Sequence, residues 1–298
     1  MKVSELLDYL DSERIAYTYS GDRELEVASY SSLSRYKPGS FTWVKTAGNI
    51  PEGFDFSQIA LAIVSEGIAG AFRNVVYTPQ SKRAFFSAIE HFFEKEEERP
   101  SVGQHTYLSP EVKLGKNVRI GHNCTLDGKI TIGDNTVIWN NVVIINRVVI
   151  GADCEIRSGA VIGHDGYAYT EDGNYKKQMV KHHGGVSIGD DVLIGENACV
   201  HRGTIDDTVI ESGVKIDTLS HIAHNCWMER NSAMAGPCRA SGSVHIGENA
   251  YLAGCIVRNQ KKIGRNAFVG VGAVVVKDVG DGETVVGNPA RPFRKAKM

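Results

Sequence analysis

The stretch LGKNVRIGHNCTLDGKITIGDNTVIWNNVVIINRVVIGADCEIRSGAVIG (114–163) returns to an aliphatic residue every six positions. Leu114, Ile120, Leu126, Ile132, Ile138, Ile144, Ile150, Ile156 and Ile162 follow one another without a miss. A six-residue period fits neither the period of an α-helix, about 3.6, nor that of a flat strand, about 2. It fits a short strand followed by a corner, repeated. Side chains alternate along a strand, so position i−2 points the same way as position i. The i−2 set is small or β-branched (Val118, Cys124, Ile130, Thr136, Val142, Val148, Cys154, Ala160), as a narrow stacked core requires. Glycine follows the aliphatic residue at Gly115, Gly121, Gly133, Gly151 and Gly163, where it is expected to let the backbone turn. The pattern predicts a mainly β fold, a parallel β-helix built from hexapeptides.

Working outward, the series resumes at Ile188, Ile194 and Val200, then at Ile210, Ile216, Ile222, Met228, Met234, Ala240, Ile246 and Leu252, with a less regular end at Ile263, Val269 and Val275. Two interruptions separate these runs. Residues 165–184 (DGYAYTEDGNYKKQMVKHHG) leave the coil as a long loop, and 201–209 (HRGTIDDTV) form a shorter break. A solenoid gains no stability from long excursions, and long loops on rigid scaffolds serve binding. Before about Pro100 the rhythm differs. Val3, Leu6, Leu7 and Leu10 share one helical face, SFTWV (40–44), IALAIV (59–64) and NVVYT (74–78) read as strands, and Phe85, Phe86, Ile89, Phe92 and Phe93 recur at helical spacing with Ser81 as the expected cap. The charge run Glu94 to Arg99 and then Pro100 end that helix and act as linker. The expected domains are therefore a small α/β unit at 1–100, a β-helix at 101–288 and a basic tail at 289–298.

Composition excludes several classes. A net charge of −2 gives no electrostatic case for nucleic acid or a membrane surface. No apolar run is long enough to span a membrane, and MKVSELLDYLDSERI does not read as a signal peptide. Six scattered cysteines without a CxxC point to a reduced, cytoplasmic protein rather than a disulfide scaffold.

The segment SHIAHNC (220–226) gathers two histidines, an asparagine and a cysteine. In the six-residue frame Ile222 points inward, with Ser220 and Cys226 on the core side; His221 faces out and His224 occupies the corner. His221, His224 and Cys226 then cannot converge on one ion, so no metal is expected. The frame leaves His224 as a surface residue or a general base.

The stretches IGHDGYAY (162–169), GVSIGDDVLIGENACVHRGTIDDTVI (185–210) and GVKIDTLSHIAHN (213–225) resemble the UDP-3-O-acylglucosamine N-acyltransferase family of lipid A synthesis, and YSSLSRYKPGSFTWV (30–44) resembles that family's uridine-binding domain. The resemblance implies a left-handed helix, a homotrimer with sites between neighbouring subunits, and acyl transfer from a thioester on acyl carrier protein or coenzyme A to the amine of a UDP-linked amino sugar, with no bound cofactor. His224 takes the place of the catalytic histidine and Gly242 that of the oxyanion donor. Asn225 and Asp217 match neighbouring positions that hold the histidine or the sugar. An imidazole, ordinarily titrating near about 6.5, offers a large neutral fraction to accept the amine's proton. Gly242 lies three hexapeptides after His224, one full coil, which places it beside the ring.

The chain departs from the family in three places. Where a further histidine is common, it reads RNQKK (258–262), leaving Asn259, Gln260 or Lys261 to substitute. At the uridine site Phe41 matches but Val44 and Ala47 fill the other positions, with Trp43 as an alternative stacking face. The ending GNPARPFRK resembles acetyl-CoA-dependent hexapeptide acetyltransferases, and its Arg291, Arg294, Lys295 and Lys297 are candidates to meet coenzyme A phosphates. Tyr167, Tyr169, Lys176 and Lys177 of the loop are candidates to cover the substrate. Two rival readings follow: an acetyltransferase for a surface-polysaccharide sugar, and a non-catalytic β-helix binding subunit.

Overall fold

The computed structural model describes residues 1–50, 54–68, 70–94 and 100–293. The chain divides into two compact units, Met1–Glu98 and Arg99–Met298.

In the first unit Val3, Leu6, Leu7 and Leu10 are all buried on one face of helix α1 (Val3–Ser12). Five strands form its sheet: β1 (Thr18–Ser20), β2 (Ser29–Tyr30), β3 (Ser40–Val44), β4 (Leu61–Val64) and β5 (Val75–Tyr77), in the order β1-β5-β4-β3-β2. Only the β1–β5 pair is antiparallel. Helix α2 (Ser81–Phe93) packs Ala84, Phe85, Ala88 and Ile89 into the same core. Ser81 is not its cap. Gln80 holds that position without a side-chain bond, and the Ser81 hydroxyl instead accepts from Trp43 Nε1 at 2.9 Å and pairs with Ser65 Oγ at 2.7 Å. The helix ends at Phe93, and residues 95–99 of the charge run lie outside the described residues.

The second unit is a β-solenoid. Strands of two or three residues stack into three parallel sheets of eight, ten and nine strands, the last strand of the ten-stranded sheet being antiparallel. Successive coils repeat every 18 residues, as Ile120, Ile138 and Ile156 do in one sheet and Leu126, Ile144 and Ile162 in another. From Ile120 onward the aliphatic positions form one continuous buried column with all their i−2 partners but Lys261, and Cys124, Cys154, Cys226 and Cys238 are each at most 2% exposed, while Leu114 at its start is exposed. The interruptions appear as longer steps. Ile150 pairs with Ile188 and Ile188 with Ile210, 38 and 22 residues apart, whereas Ile246 pairs with Ile263 after 17. That one-residue shortening explains the irregular end of the series.

The corners correct one expectation. Of the glycines after the aliphatic residues, only Gly163 has a positive φ, at 93°; Gly115, Gly121, Gly133 and Gly151 do not make the turn. The left-handed residue lies three before most of the aliphatic positions and is mostly asparagine: Asn117, Asn123, Asn135, Asn141, Asn197, Asn225, Asn231, Asn249 and Asn266 have φ from 56° to 60°, a region asparagine tolerates well. The following glycines serve close approach between coils. A Cβ on Gly133 would lie 2.5 Å from the Gly151 carbonyl carbon. Among the described residues no helix is long and apolar enough to cross a membrane.

Candidate active site

His224 occupies the corner between strand His221–Ile222 of the nine-stranded sheet and strand Trp227–Met228 of the eight-stranded sheet. Ser220, Ile222 and Cys226 are buried, while His221 and His224 are partly exposed. The Cys226 thiol faces the Ser241 carbonyl at 3.3 Å, away from both rings. Among the described residues no group of three His, Cys, Asp or Glu side chains is placed to hold a metal ion.

The hydrogen bonds fix the proton on His224. Asn225 sits at φ 60° with its backbone N–H on Thr208 Oγ1 at 2.9 Å. Its side-chain oxygen accepts from the Thr204 N–H at 3.2 Å and the Thr204 hydroxyl at 3.0 Å. A backbone N–H can only donate, so the atom facing Thr204 is the amide oxygen and not the amide nitrogen. The same oxygen lies 2.9 Å from His224 Nδ1. Nδ1 therefore carries the hydrogen and donates it, and in the neutral ring Nε2 holds the lone pair.

That bare nitrogen faces Gly242. A Cβ built on Gly242 would lie 2.8 Å from both Cε1 and Nε2 of His224. The coils are tied there by Ser243 N–H to His224 O and Gln260 N–H to Gly242 O, each 2.9 Å. At equivalent places on other corners the backbone N–H is capped by a side chain of the next coil: Lys116 by Asp134, His122 by Asn140 and Ala152 by Asp190. The Gly242 N–H donates to no group among the described residues. A lone pair and an uncommitted N–H thus stand side by side.

The two interruptions build the rest of the site. Asp207 accepts from Arg147 Nη1 at 2.9 Å and from the Gly185 N–H at 2.7 Å. Burial pushes its carboxyl up, but the bonds from Arg147 and Gly185 outweigh this and hold it below the ordinary carboxylate range. Arg202 donates Nε to Gly184 O at 2.6 Å and pairs with Asp165 at 3.8 Å. These contacts pin the HRGTIDDT segment that delivers Thr204 and Thr208 to Asn225. The loop base closes over the opposite edge of the ring, where a Cβ on Gly166 would meet His224 Cδ2 at 2.9 Å.

Sequence reasoning missed two histidines here. His182 is fully buried and stands edge-to-face with His224, ring centroids 5.4 Å apart. His201 stands edge-to-face with His221 at 4.8 Å, with its Nδ1 buried and unpartnered. The available signal was placement, since KHHGG (181–185) and HRG (201–203) lie at the ends of the two interruptions. Burial, followed by the neighbouring His221, His224, His164 and His182, pushes the His201 ring down to about 4. In the unfolded chain histidine titrates near about 6.5. Between these values the unfolded state binds the extra proton, so His201's contribution to stability is complete above pH 6.5 and is lost as pH falls to 4. With allowance for its partial exposure, the expected loss is on the order of 2 kcal/mol. Urea unfolding at pH 7.5 and pH 4.5 checks this: His201→Gln shows a smaller difference between the two pH values than the parent.

The other candidates fall in different places. Asn259 is exposed on the coil after Gly242, at the same corner. Asp217 lies on another corner, next to strand Lys215–Ile216 of the ten-stranded sheet. Its carboxylate accepts from the Thr218 and Gly236 N–H groups at 2.8 and 2.7 Å, and those bonds lower its pKa. It secures a turn and does not touch His224. Arg291 lies in strand Arg291–Pro292 at the end of the ten-stranded sheet, away from the His224 corner. Arg294, Lys295 and Lys297 lie outside the described residues. Tyr167 and Tyr169 are exposed and in edge-to-face contact, on and beside the hairpin Tyr169–Glu171/Lys177–Met179, with Lys177 Nζ 5.3 Å from the Tyr169 ring centroid.

Phe41 does not offer a face to a nucleobase. It has no exposed surface and packs on Phe85 and Phe93. Trp43 stacks on Phe85, meets Phe86 edge-on and donates to Ser81. The core of the first unit takes up Phe41, which corrects its reading as a stacking platform, while Trp43 packs against that core and stays partly exposed.

Residues 129–164 match the family model described as bacterial transferase hexapeptide (six repeats), and residues 111–145 and 185–218 match that described as hexapeptide repeat of succinyl-transferase. The second unit is a hexapeptide-repeat solenoid. Curated relatives carry the name UDP-3-O-acylglucosamine N-acyltransferase. Those from Delftia acidovorans and Caulobacter sp. are 40% and 38% identical over 41% and 49% of this chain, which is 36% and 43% of theirs. The matched part of the chain thus spans well under half the length of these relatives. Among solved structures, the hexapeptide-repeat solenoid resembles LpxA from Acinetobacter baumannii, with a TM-score of 0.60 and 26% identity over 65% of this chain and 74% of that one. It also resembles the UDP-N-acetylglucosamine acyltransferase of Francisella novicida, with a TM-score of 0.57 and 28% identity over 63% and 68%.

Proposed function

We propose that this protein is an acyltransferase that moves an acyl group from a thioester, on acyl carrier protein or coenzyme A, to the amine of a UDP-linked amino sugar, with His224 as general base. The observation that carries the reading is the locked tautomer. Asn225 takes the Nδ1 hydrogen, so Nε2 is left as a base beside the unbonded N–H of Gly242. The sugar amine attacks the thioester carbonyl and forms the C–N bond while Nε2 takes one amine proton. The carbonyl oxygen becomes an oxyanion beside the Gly242 N–H. Collapse breaks the C–S bond, and the imidazolium returns its proton to the leaving thiolate. The names of the curated and structural relatives support both the reaction class and the nucleotide-sugar acceptor.

In this reading Asn225 orients the base, Tyr167 and Tyr169 help to cover the acceptor, and Asn259 lies where a donor passing along the corner would meet it. The sites are completed between subunits of a homotrimer. The test offers hydroxyacyl carrier protein and acetyl-CoA in parallel, each with UDP-linked 2-amino and 3-amino sugars, and detects the amide product by mass. Carrier-protein-dependent amide formation supports the lipid A type of reaction. Turnover with acetyl-CoA alone assigns the protein to acetyl transfer, and no amide with any pair overturns the proposal.

A further inference from the structure

His182 is fully buried, and its Nδ1 lies 2.8 Å from the Val180 carbonyl oxygen. A carbonyl only accepts, so Nδ1 carries the hydrogen. In the neutral ring, Nε2 then holds the lone pair. Its Nε2 is therefore a bare acceptor, and it is buried without any donor. Buried polar atoms without partners are rare enough to need an explanation.

The ring of His224 lies close to that atom. A Cβ on Gly166 would lie 3.3 Å from His182 Nε2, 2.9 Å from His224 Cδ2 and 3.1 Å from His224 Cβ, so one point touches both side chains. The two rings are perpendicular, at 89°. Gly242 holds the Cε1–Nε2 edge of His224, where substrate must arrive, and His182 lies on the Cδ2 side. When Nε2 of His224 takes a proton, positive charge spreads over the whole ring, including its Cδ2–H. A fixed lone pair in a buried site stabilises that charge without having to reorganise.

We propose that His182 is a positioning residue for the general base: its bare Nε2 stabilises the imidazolium that forms on His224 during proton transfer. This rests on the acyl-transfer reading. The other charged and titratable groups beside the pair are Asp165, ion-paired with Arg202 and accepting the His182 N–H at 3.1 Å, and His201, which in turn neighbours His221 and His164. None of these supplies a donor to His182 Nε2.

Two variants and one spectroscopic measurement test this. His182→Phe keeps a flat ring and removes the lone pair; His182→Gln returns an acceptor near the Nε2 position. In His182→Phe, the acid limb of the kcat–pH profile shifts to lower pH by about one unit and kcat falls about tenfold, with KM unchanged. His182→Gln recovers most of both. A fall in kcat with the acid limb unmoved would mean ordinary packing and would overturn the proposal. Nitrogen-15 NMR of histidine in the unsubstituted protein needs neither turnover nor a folded variant. As pH is lowered, the His182 Nε2 resonance moves in the same step that protonates His224. A His182 Nε2 resonance indifferent to that step overturns the inference even if the acyl-transfer reading holds. The coupling can likewise be present if the proposed substrates fail.

Discussion

His224→Ala lowers kcat for acyl transfer by roughly 10²–10⁴-fold, the contribution of a positioned general base, while the protein keeps its thermal midpoint and its assembly state. The corner explains why chemistry and folding separate here. The ring lies outside the buried column, and Ile222 and Cys226, which flank it, keep their inward positions. Removing the imidazole strips no core contact from the solenoid. The backbone bond from Ser243 N–H to His224 O also survives truncation. Steady-state kinetics alongside a melting curve check the prediction. A folded variant with unchanged kcat would leave this corner without a catalytic role.

Gly242→Ala is expected to cost about 10²-fold in kcat, in the range of a catalytic group displaced by about 1 Å. The added Cβ would lie 2.8 Å from Cε1 and Nε2 of His224, closer than real contacts allow. The Gly242 backbone is not in the left-handed region, so alanine is not strained by its own conformation. The movable partner is the end of a side chain, so the imidazole swings away and the coil stays in place. Because alanine keeps the backbone N–H, the loss reports the position of the base and not the removal of an oxyanion donor. Gly242→Ala with His224→Ala in the same chain is then no slower than His224→Ala alone, since both act on one ring.

The six-residue period made the solenoid legible because a stacked core admits only aliphatic and small residues, and every corner resets the count. It also placed His224 outside the core and Gly242 one coil away, since both follow from counting. The mechanics of the corner were harder to read. Glycine after Ile132 or Ile150 looks like a turn residue, yet the turn is made by Asn135 or Asp153, three positions before the next aliphatic residue. The glycine is there because the next coil's backbone is close. Phe41 and Trp43 have the composition of a stacking site but complete a core with Phe85, which only the packing of helix α2 on strand β3 reveals. Asp217 looked like a site residue by its position in the motif, and its carboxylate turned out to hold Thr218 and Gly236. His182 and His201 belong to interruptions in the repeat, where no periodicity tells which way a side chain points.

Catalysis at this corner depends on which nitrogen of His224 holds the hydrogen. Nitrogen-15 NMR of histidine-labelled protein at pH 8, with His224 assigned by comparison with His224→Ala, measures this directly. The predicted result is a proton on Nδ1 and a bare Nε2, converting to the opposite tautomer or to a mixture when Asn225→Ala removes the acceptor. A proton on Nε2 in the unsubstituted protein would contradict the account, because the nitrogen facing Gly242 could then not act as the base.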